Sequence, residues 1–378
     1  MRVGFDVRPF LKEETGVGIY FKNLLFALAK IDRENEYFLF SSSWKDRFNP
    51  GKIPPFTRKH FRDFHYPVKA VNFLWNKLGW PPVDLFFRTD LDLAHSPTPL
   101  VLPSRGKKIV TVYDLCFLEY PHLSDDESRH VFTSKIEQSL HIADGIITIS
   151  QFSQEQILKR FSIEKGKIHV THLGIDHHFW RDTAQEEKER IRSKFNLPSS
   201  YLLFVGAQEP RKNIGKLIEA LKIVHRQYRK IPLVIAGRKG ADSVFVQDRI
   251  KTYDLEQWVT LTGYLDDFEL RSVFRSAFAL IFPSVCEGFG LPLLEAMISG
   301  IPVVASHAPA IPEICQDAAL LFDPKNPEDM AESMIHVLKD KTLREDLIQR
   351  GEKRVMDFSW ESTAKKTLSI YRSLVGTS

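Results

Sequence analysis

The sequence predicts an α/β protein built as two doubly wound, Rossmann-like domains in tandem. Three observations carry this. Strand-like apolar runs alternate with helix-like segments along the 378 residues. The alternation is interrupted once, by a polar stretch at 176–198, and then restarts. A chain of this length also exceeds the ~250–300 residues at which single cores stop growing. Repeated β–α units imply parallel sheets covered by helices on both faces, with ligands beyond the carboxyl ends of the strands. Two such domains, facing each other, would place a cleft between those edges. The pattern puts the first domain at 1–175, the second at 176–359, and a last helix at about 360–378.

In the first half, strands are predicted at 3–7, 37–41, 91–95, 109–113, 146–149 and 168–171. Several are apolar throughout, as expected of strands buried on both faces. A glycine loop, Thr15-Gly16-Val17-Gly18, follows the first strand, and Tyr20, Phe21, Leu24, Leu25 and Leu28 then recur at helical spacing. Ser150 is a natural N-cap for a helix running towards Phe161. A charged helix is predicted at about 185–195. The second half gives strands at 201–205, 233–236, 259–262, 279–282, 303–306 and 319–322, and an amphipathic helix at 360–374.

Composition excludes several classes of function. A net charge of +4, with no long basic run, argues against nucleic acid as a partner. Cys116, Cys286 and Cys315 are far apart and odd in number, which reads as a reduced, cytoplasmic chain. No CxxC or HExxH spacing points to zinc. Residues 1–9 carry Arg2, Asp6 and Arg8 where a signal peptide needs an apolar core, and no window approaches ~18 uninterrupted apolar residues.

One segment breaks the pattern. Residues 44–80 are rich in aromatics and bases, with eight Lys/Arg between 45 and 77 against Asp46 and Asp63. They read either as a solvated basic face over buried rings, or as an acceptor or membrane-surface patch where rings enter the interface and cations meet lipid phosphates.

The stretch from Phe282 to Met297, FPSVCEGFGLPLLEAM, carries the chemistry. A strand ends near Phe282, a loop with Gly288 and Gly290 follows, and Pro292 suits the first turn of the next helix. Glycines allow close backbone approach, and the N–H groups at the start of the helix form an anion site. The backbone around Phe289 and Leu291 would meet a pyrophosphate, with Glu287 before the helix and Glu295 about one turn inside it. A second element, Val205 to Asn213, places Arg211 and Lys212 at a strand-to-helix turn, where fixed positive charge suits a departing diphosphate.

The two glutamates separated by seven residues, the glycine loop and the following GIPVVAS resemble the EX7E signature of retaining glycosyltransferases of family 4, which have the GT-B fold. The resemblance runs almost the whole chain. It implies a nucleotide-sugar donor site in the second half, with Arg211, Lys212 and Glu287 in catalysis. Gly16, Gly206, Tyr264, Gly288, Phe289, Gly290, Leu291 and Glu295 would bind the donor. It also implies that the last helix returns to the first domain. Many members carry Arg where Ala207 stands, and Arg211 is the candidate replacement. Tyr113-Asp114 resembles a sugar-contact site that often holds His before Asp; here Tyr113 replaces the histidine. Tyr113, Asp114 and His95 are the candidate sugar or acceptor contacts.

The implied activity is transfer of a hexose, mannose by general likeness to mannosyltransferases of polysaccharide assembly. The donor would be GDP- or UDP-linked, and the acceptor a glycan or lipid-linked glycan, with retention at the anomeric carbon. The nucleotide sugar is a co-substrate; no cofactor and no metal are expected. Asp90-Leu91-Asp92 is a DxD triplet of the kind that holds a metal in the other large glycosyltransferase fold, but it runs into a predicted strand. A non-catalytic nucleotide-sugar-binding protein and a sugar-nucleotide epimerase share the architecture and stay open at this point.

Overall fold

The computed structural model describes residues 1–11, 16–46, 48–121, 126–181 and 185–376. The chain forms two compact units: Met1–Leu115 with Asp126–Gly174 and Trp360–Ser378, and Cys116–Asp125 with Ile175–Ser359.

The first unit carries a seven-stranded sheet of β1 (Arg2–Asp6), β2 (Glu36–Ser42), β3 (Lys59–Phe64), β4 (Leu93–Ser96), β5 (Lys107–Val112), β6 (Gly145–Thr148) and β7 (Ile168–Val170). The order is β3-β2-β1-β4-β5-β6-β7, every pair parallel. β3 was not predicted. Its sequence, KHFRDF, mixes charge with aromatic rings and lies on the sheet edge, where charged side chains protect an unpaired ladder. No continuous apolar run marks such a strand.

The helix Gly16–Ile31 buries Tyr20, Phe21, Leu24, Leu25 and Leu28, the stripe its sequence shows. It begins at Gly16, so Gly16 and Gly18 lie in its first turn rather than in a loop. Thr15 lies outside the described residues. Ser150 caps the Gln151–Arg160 helix by accepting from the Ser153 N–H. The final helix, Trp360–Val375, packs on Gly16–Ile31; Trp360 meets the Tyr20 ring with centroids 6.1 Å apart.

The second unit carries β8 (Leu202–Val205), β9 (Leu233–Ala236), β10 (Val259–Gly263), β11 (Ala279–Phe282), β12 (Val303–Ser306) and β13 (Ala319–Phe322), in the order β10-β9-β8-β11-β12-β13. This is the doubly wound order in which the chain leaves β8 in one direction and later returns to its other side at β11. The reversal opens a crevice at the carboxyl ends of those two strands. On one face of the sheet the core is a cluster of Leu, Ile, Val, Phe, Ala and Met, closed by the helices Ile214–Gln227 and Pro327–Lys339, which pack against each other.

Two sequence expectations are corrected here. Cys116 and Cys286, 170 residues apart, form a disulfide with Cα atoms 6.1 Å apart, so only Cys315 among the three is a free thiol. The sequence distance hid their proximity. His95 is fully buried on β4, its Nδ1 2.6 Å from the Tyr371 hydroxyl and its Nε2 2.8 Å from Thr111 Oγ1. Both ring nitrogens are committed inside the unit, so His95 braces the last helix against the sheet and does not meet a sugar.

Burial pushes the His95 pKa down to about 3, because the charged imidazolium would sit without water. The unfolded chain takes up a proton near 6.5 that the folded chain refuses. Stability is therefore full above pH ~6.5 and falls as pH drops towards the folded value. We predict that denaturant midpoints measured from pH 7 to 4 decline in the native chain and decline less steeply in a His95→Gln variant, which starts from lower stability at pH 7.

Candidate active site

Three predicted residues meet in the second unit. Arg211 and Lys212 lie in a 3₁₀ turn, Pro210–Lys212, just beyond β8; Glu287 lies in the loop beyond β11. β8 and β11 are neighbours in the sheet, so their carboxyl-end loops emerge side by side. Lys212 Nζ lies 2.5 Å from Glu287 Oε1, and Arg211 Nη1 lies 3.1 Å from Glu287 Oε2. Each carboxylate oxygen thus holds one cation. Lys212 and Glu287 are buried and Arg211 is half-buried. Lys212 Nζ also sits 5.2 Å above the centre of the Phe282 ring.

Neighbouring groups fix this constellation. Glu209 accepts from Arg211 Nε at 3.1 Å and pairs with Arg238 at 3.5 Å. Val285 N–H donates to the Arg211 carbonyl at 2.9 Å. Asn213, left-handed with φ of 58°, donates its amide to the carbonyls of Pro283 and Pro324 at 3.1 and 2.8 Å. Two loops distant in sequence are thereby held in one register. The stem of Lys212 crosses close to Gly206, its Cε 3.4 Å from where a Cβ on that residue would stand.

The two glutamates have opposite electrostatics. Burial works to raise the Glu287 pKa, but the charges of Lys212 and Arg211 outweigh it and hold the carboxyl at about 2. Glu287 stays ionised at every working pH. Glu295, on the helix Leu291–Ile298, is pushed up to about 8 by burial and then by the charge of Asp267. No compensating cation contributes to its shift.

The remaining donor-site candidates divide by role. Gly290 is the N-cap of Leu291–Ile298 with φ of 95°, which favours glycine, and a Cβ there would lie 2.8 Å from Leu293 Cδ1. Gly288 does not take a positive φ. Phe289 is buried with its ring against Phe358, centroids 5.7 Å apart, so only its backbone can meet a ligand. Leu291 opens the helix. Tyr264 is exposed beyond β10, in the loop that leads to Asp267.

In the first unit, Gly16 is exposed, and among the described residues nothing beyond its chain neighbours and its own helix backbone lies within 4 Å of a would-be Cβ. The Tyr113 hydroxyl donates to the Pro97 carbonyl at 2.9 Å, which fixes the ring. Asp114 is half-buried beside it. The DxD triplet is used structurally: Asp90 pairs with Arg105 at 2.8 Å, and Asp92 accepts the Arg2 N–H at 2.7 Å.

Sequence reasoning missed Asn213 and Gly237. A Cβ on Gly237 would lie 2.0 Å from the Gly206 carbonyl oxygen, so no other residue fits where the loops after β8 and β9 cross. Its signal was available, since Gly237-Arg238-Lys239-Gly240 directly follows a predicted strand. Asn213 gave none, because its carbonyl partners are distant in sequence.

Comparison with known proteins matches these features. A family model described as Glycosyltransferase Family 4 matches residues 15–179, and one described as Glycosyl transferases group 1 matches residues 185–354. O-antigen chain mannosyltransferase B of Escherichia coli is 27% identical over 391 residues, covering 99% of this chain and 100% of that protein. Sucrose-phosphate synthase from Thermosynechococcus elongatus shares the fold with a TM-score of 0.77 at 21% identity, each chain fully covered. Anabaena HepE, solved with UDP-glucose, gives 0.76 at 16% identity, covering 99% of this chain and all of that one. With a glycosyltransferase model on each half and GT-B enzymes as its structural neighbours, the chain is a glycosyltransferase with the GT-B fold.

Proposed function

We propose that this hexosyltransferase moves mannose from GDP-mannose to a lipid-linked glycan in cell-surface polysaccharide synthesis, with retention at the anomeric carbon. The observation that carries the reading is the buried Arg211–Glu287–Lys212 constellation at the β8/β11 crevice. Mannose is supported by the full-length likeness to an O-antigen mannosyltransferase.

In this reading Arg211 and Lys212 turn from Glu287 to the donor diphosphate and stabilise the charge that grows as the sugar–oxygen bond breaks. The backbone N–H groups at Gly290 and Leu291 add their dipoles. Glu287, always ionised, accepts hydrogen bonds from sugar hydroxyls and orients the ring. Glu295 receives the ribose hydroxyls. The acceptor hydroxyl bonds to the anomeric carbon on the face the diphosphate leaves, and its proton passes to a diphosphate oxygen. The products are the extended glycan and the nucleoside diphosphate. The positive charge at the leaving group comes from side chains, so the reading needs no metal.

The lipid-linked acceptor accounts for the 44–80 segment. Part of that segment is core: Phe56, Val71 and Trp75 are buried. Trp44, Phe73, Leu78 and Trp80 instead stand 67, 57, 66 and 57% exposed, interleaved with Lys45, Lys69 and Lys77. Lys77 Nζ lies 5.3 Å from the Phe73 ring centre. Exposed rings beside cations suit a bilayer bearing anionic headgroups. Among the described residues no helix is long and apolar enough to cross a membrane.

Three outcomes are expected. Lys212→Ala and Glu287→Gln each lower transfer from GDP-mannose by roughly 10²–10³-fold, while excess EDTA leaves the native rate unchanged; native rates in both variants would remove the site assignment, and sugar isomerisation without acceptor would indicate an epimerase. Donor hydroxyls binding the ionised form of Glu295 must release its proton, so donor affinity measured by calorimetry rises from pH 6 to 8 and levels above it, and Glu295→Gln flattens the profile. Phe73→Ser/Trp80→Ser reduces flotation with vesicles containing phosphatidylglycerol but leaves transfer to a soluble acceptor intact; equal flotation with pure phosphatidylcholine vesicles argues against anionic lipid as the partner.

A further inference from the structure

The disulfide ends on the site. Cys286 immediately precedes Glu287, and Cys116 opens a short helix, Cys116–Glu119, two residues after Asp114. Both sulfur-bearing residues are buried, at 2 and 6% exposure. The Cys116–Asp125 segment groups with the second unit, although β5 before it and the Asp126–Ile142 helix after it belong to the first.

The loop from Pro283 to Gly290 is otherwise held by non-covalent contacts, of which ligand binding would alter those of the Glu287 side chain. Val285 N–H bonds to the Arg211 carbonyl and Pro283 O accepts from Asn213. Glu287 is held by the two cations the donor would claim. When Arg211 and Lys212 turn to a diphosphate, Glu287 loses both cations. A covalent anchor one residue away is unaffected by that exchange. It keeps the Glu287 backbone in place while the side chain changes partners.

We propose that Cys116 and Cys286 are a thiol–disulfide modification site, and that their oxidation braces the Glu287 loop in its donor-ready conformation. The consequence for donor affinity rests on the donor-site reading; the brace itself does not. The co-reactant is a small-molecule disulfide of the glutathione class. During loop opening one cysteine thiolate attacks it, forming a mixed disulfide and releasing one small thiol. The second cysteine then attacks the mixed disulfide, closing the Cys116–Cys286 bond and releasing the second small thiol. The two cysteines lose two electrons and two protons; the small disulfide gains both. Cys315 takes no part: burial raises its thiol to about 12, which keeps it protonated.

The experiment compares the full-length chain after equilibration with oxidised glutathione and after reduction with dithiothreitol and alkylation, with Cys116→Ser as a third sample. Peptide mapping is expected to show a Cys116–Cys286 cross-link in the first sample only. Hydrogen exchange without any ligand is expected to be about tenfold slower at residues 285–290 in the oxidised native chain than in the other two samples. Donor binding is probed with GDP-mannose and UDP-glucose, and the oxidised chain is expected to bind at least about threefold more tightly, because its loop is already ordered. Absence of the cross-link, or equal exchange in all three samples, overturns the proposal. Equal donor affinity in both redox forms overturns its control of the site. Failure of either form to bind either donor counts against the donor-site reading instead, and the exchange data still decide whether the disulfide is a brace.

Discussion

Glu287, gripped by Lys212 on one oxygen and Arg211 on the other, is the interaction on which the rest of the second unit's site depends. Burying charge is costly, and a buried ion pair seldom stabilises more than apolar side chains of the same volume. Stability alone does not account for this constellation. Two cations face one carboxylate, so the cluster is electrostatically incomplete on the positive side, and Glu209 offsets Arg211 and Arg238 only from the half-buried rim. An anionic ligand completes it. The proposed function reads the cluster as a preorganised anion site in which Glu287 keeps the cations aligned until the ligand arrives.

That arrangement follows from sheet topology. The order β10-β9-β8-β11-β12-β13 sets β8 against β11, so loops about 75 residues apart (from Lys212 to Glu287) share one crevice. Sheet pairing brings them near; it does not fix ångström-scale register. That is left to Asn213, which bridges the carbonyls of Pro283 and Pro324, and to the contact of Gly237 with the Gly206 carbonyl. Backbone tolerates such crossings only where a side chain is absent, or where Asn can adopt a left-handed turn.

How far the sequence could be read tracks the range of each interaction. The second-unit strands other than β10 are mostly apolar on both faces, and the predicted limits of all six agree with the structure to within a residue. The Ser150 cap and the Gly16–Ile31 stripe are equally local. Arg211, Lys212 and Glu287 were legible because their spacing to strands and glycines is fixed. β3 was hidden because an edge strand need not be apolar. The Cys116–Cys286 pair, the Asn213 bridges and the burial of His95 against Tyr371 join residues 170, 70, 111 and 276 positions apart, and nothing local announces any of them. His95 shows the cost most clearly. Placed at the end of a predicted strand, it reads either as a packed, hydrogen-bonded residue or as a sugar contact, and the returning C-terminal helix, which decides for the first, is 276 positions away.

The two glutamates of the signature show why a motif alone does not assign chemistry. They are the same residue type with seven residues between them; Glu287 is buried and Glu295 half-buried. One sits between two cations and is held at about 2; the other has Asp267 for an electrostatic neighbour and rises to about 8. At neutral pH the first is an obligate acceptor and the second is largely an uncharged acid that can donate as well as accept. A single environment could not serve both roles. Glu287 must remain negative to organise Arg211 and Lys212 and, in the proposed reading, to receive sugar hydroxyls when they leave. Glu295 need not be negative until a ligand supplies donors that make ionisation worthwhile. In the proposed reading its proton is released on binding, which couples occupancy of the nucleoside side of the site to the local charge balance around the departing diphosphate.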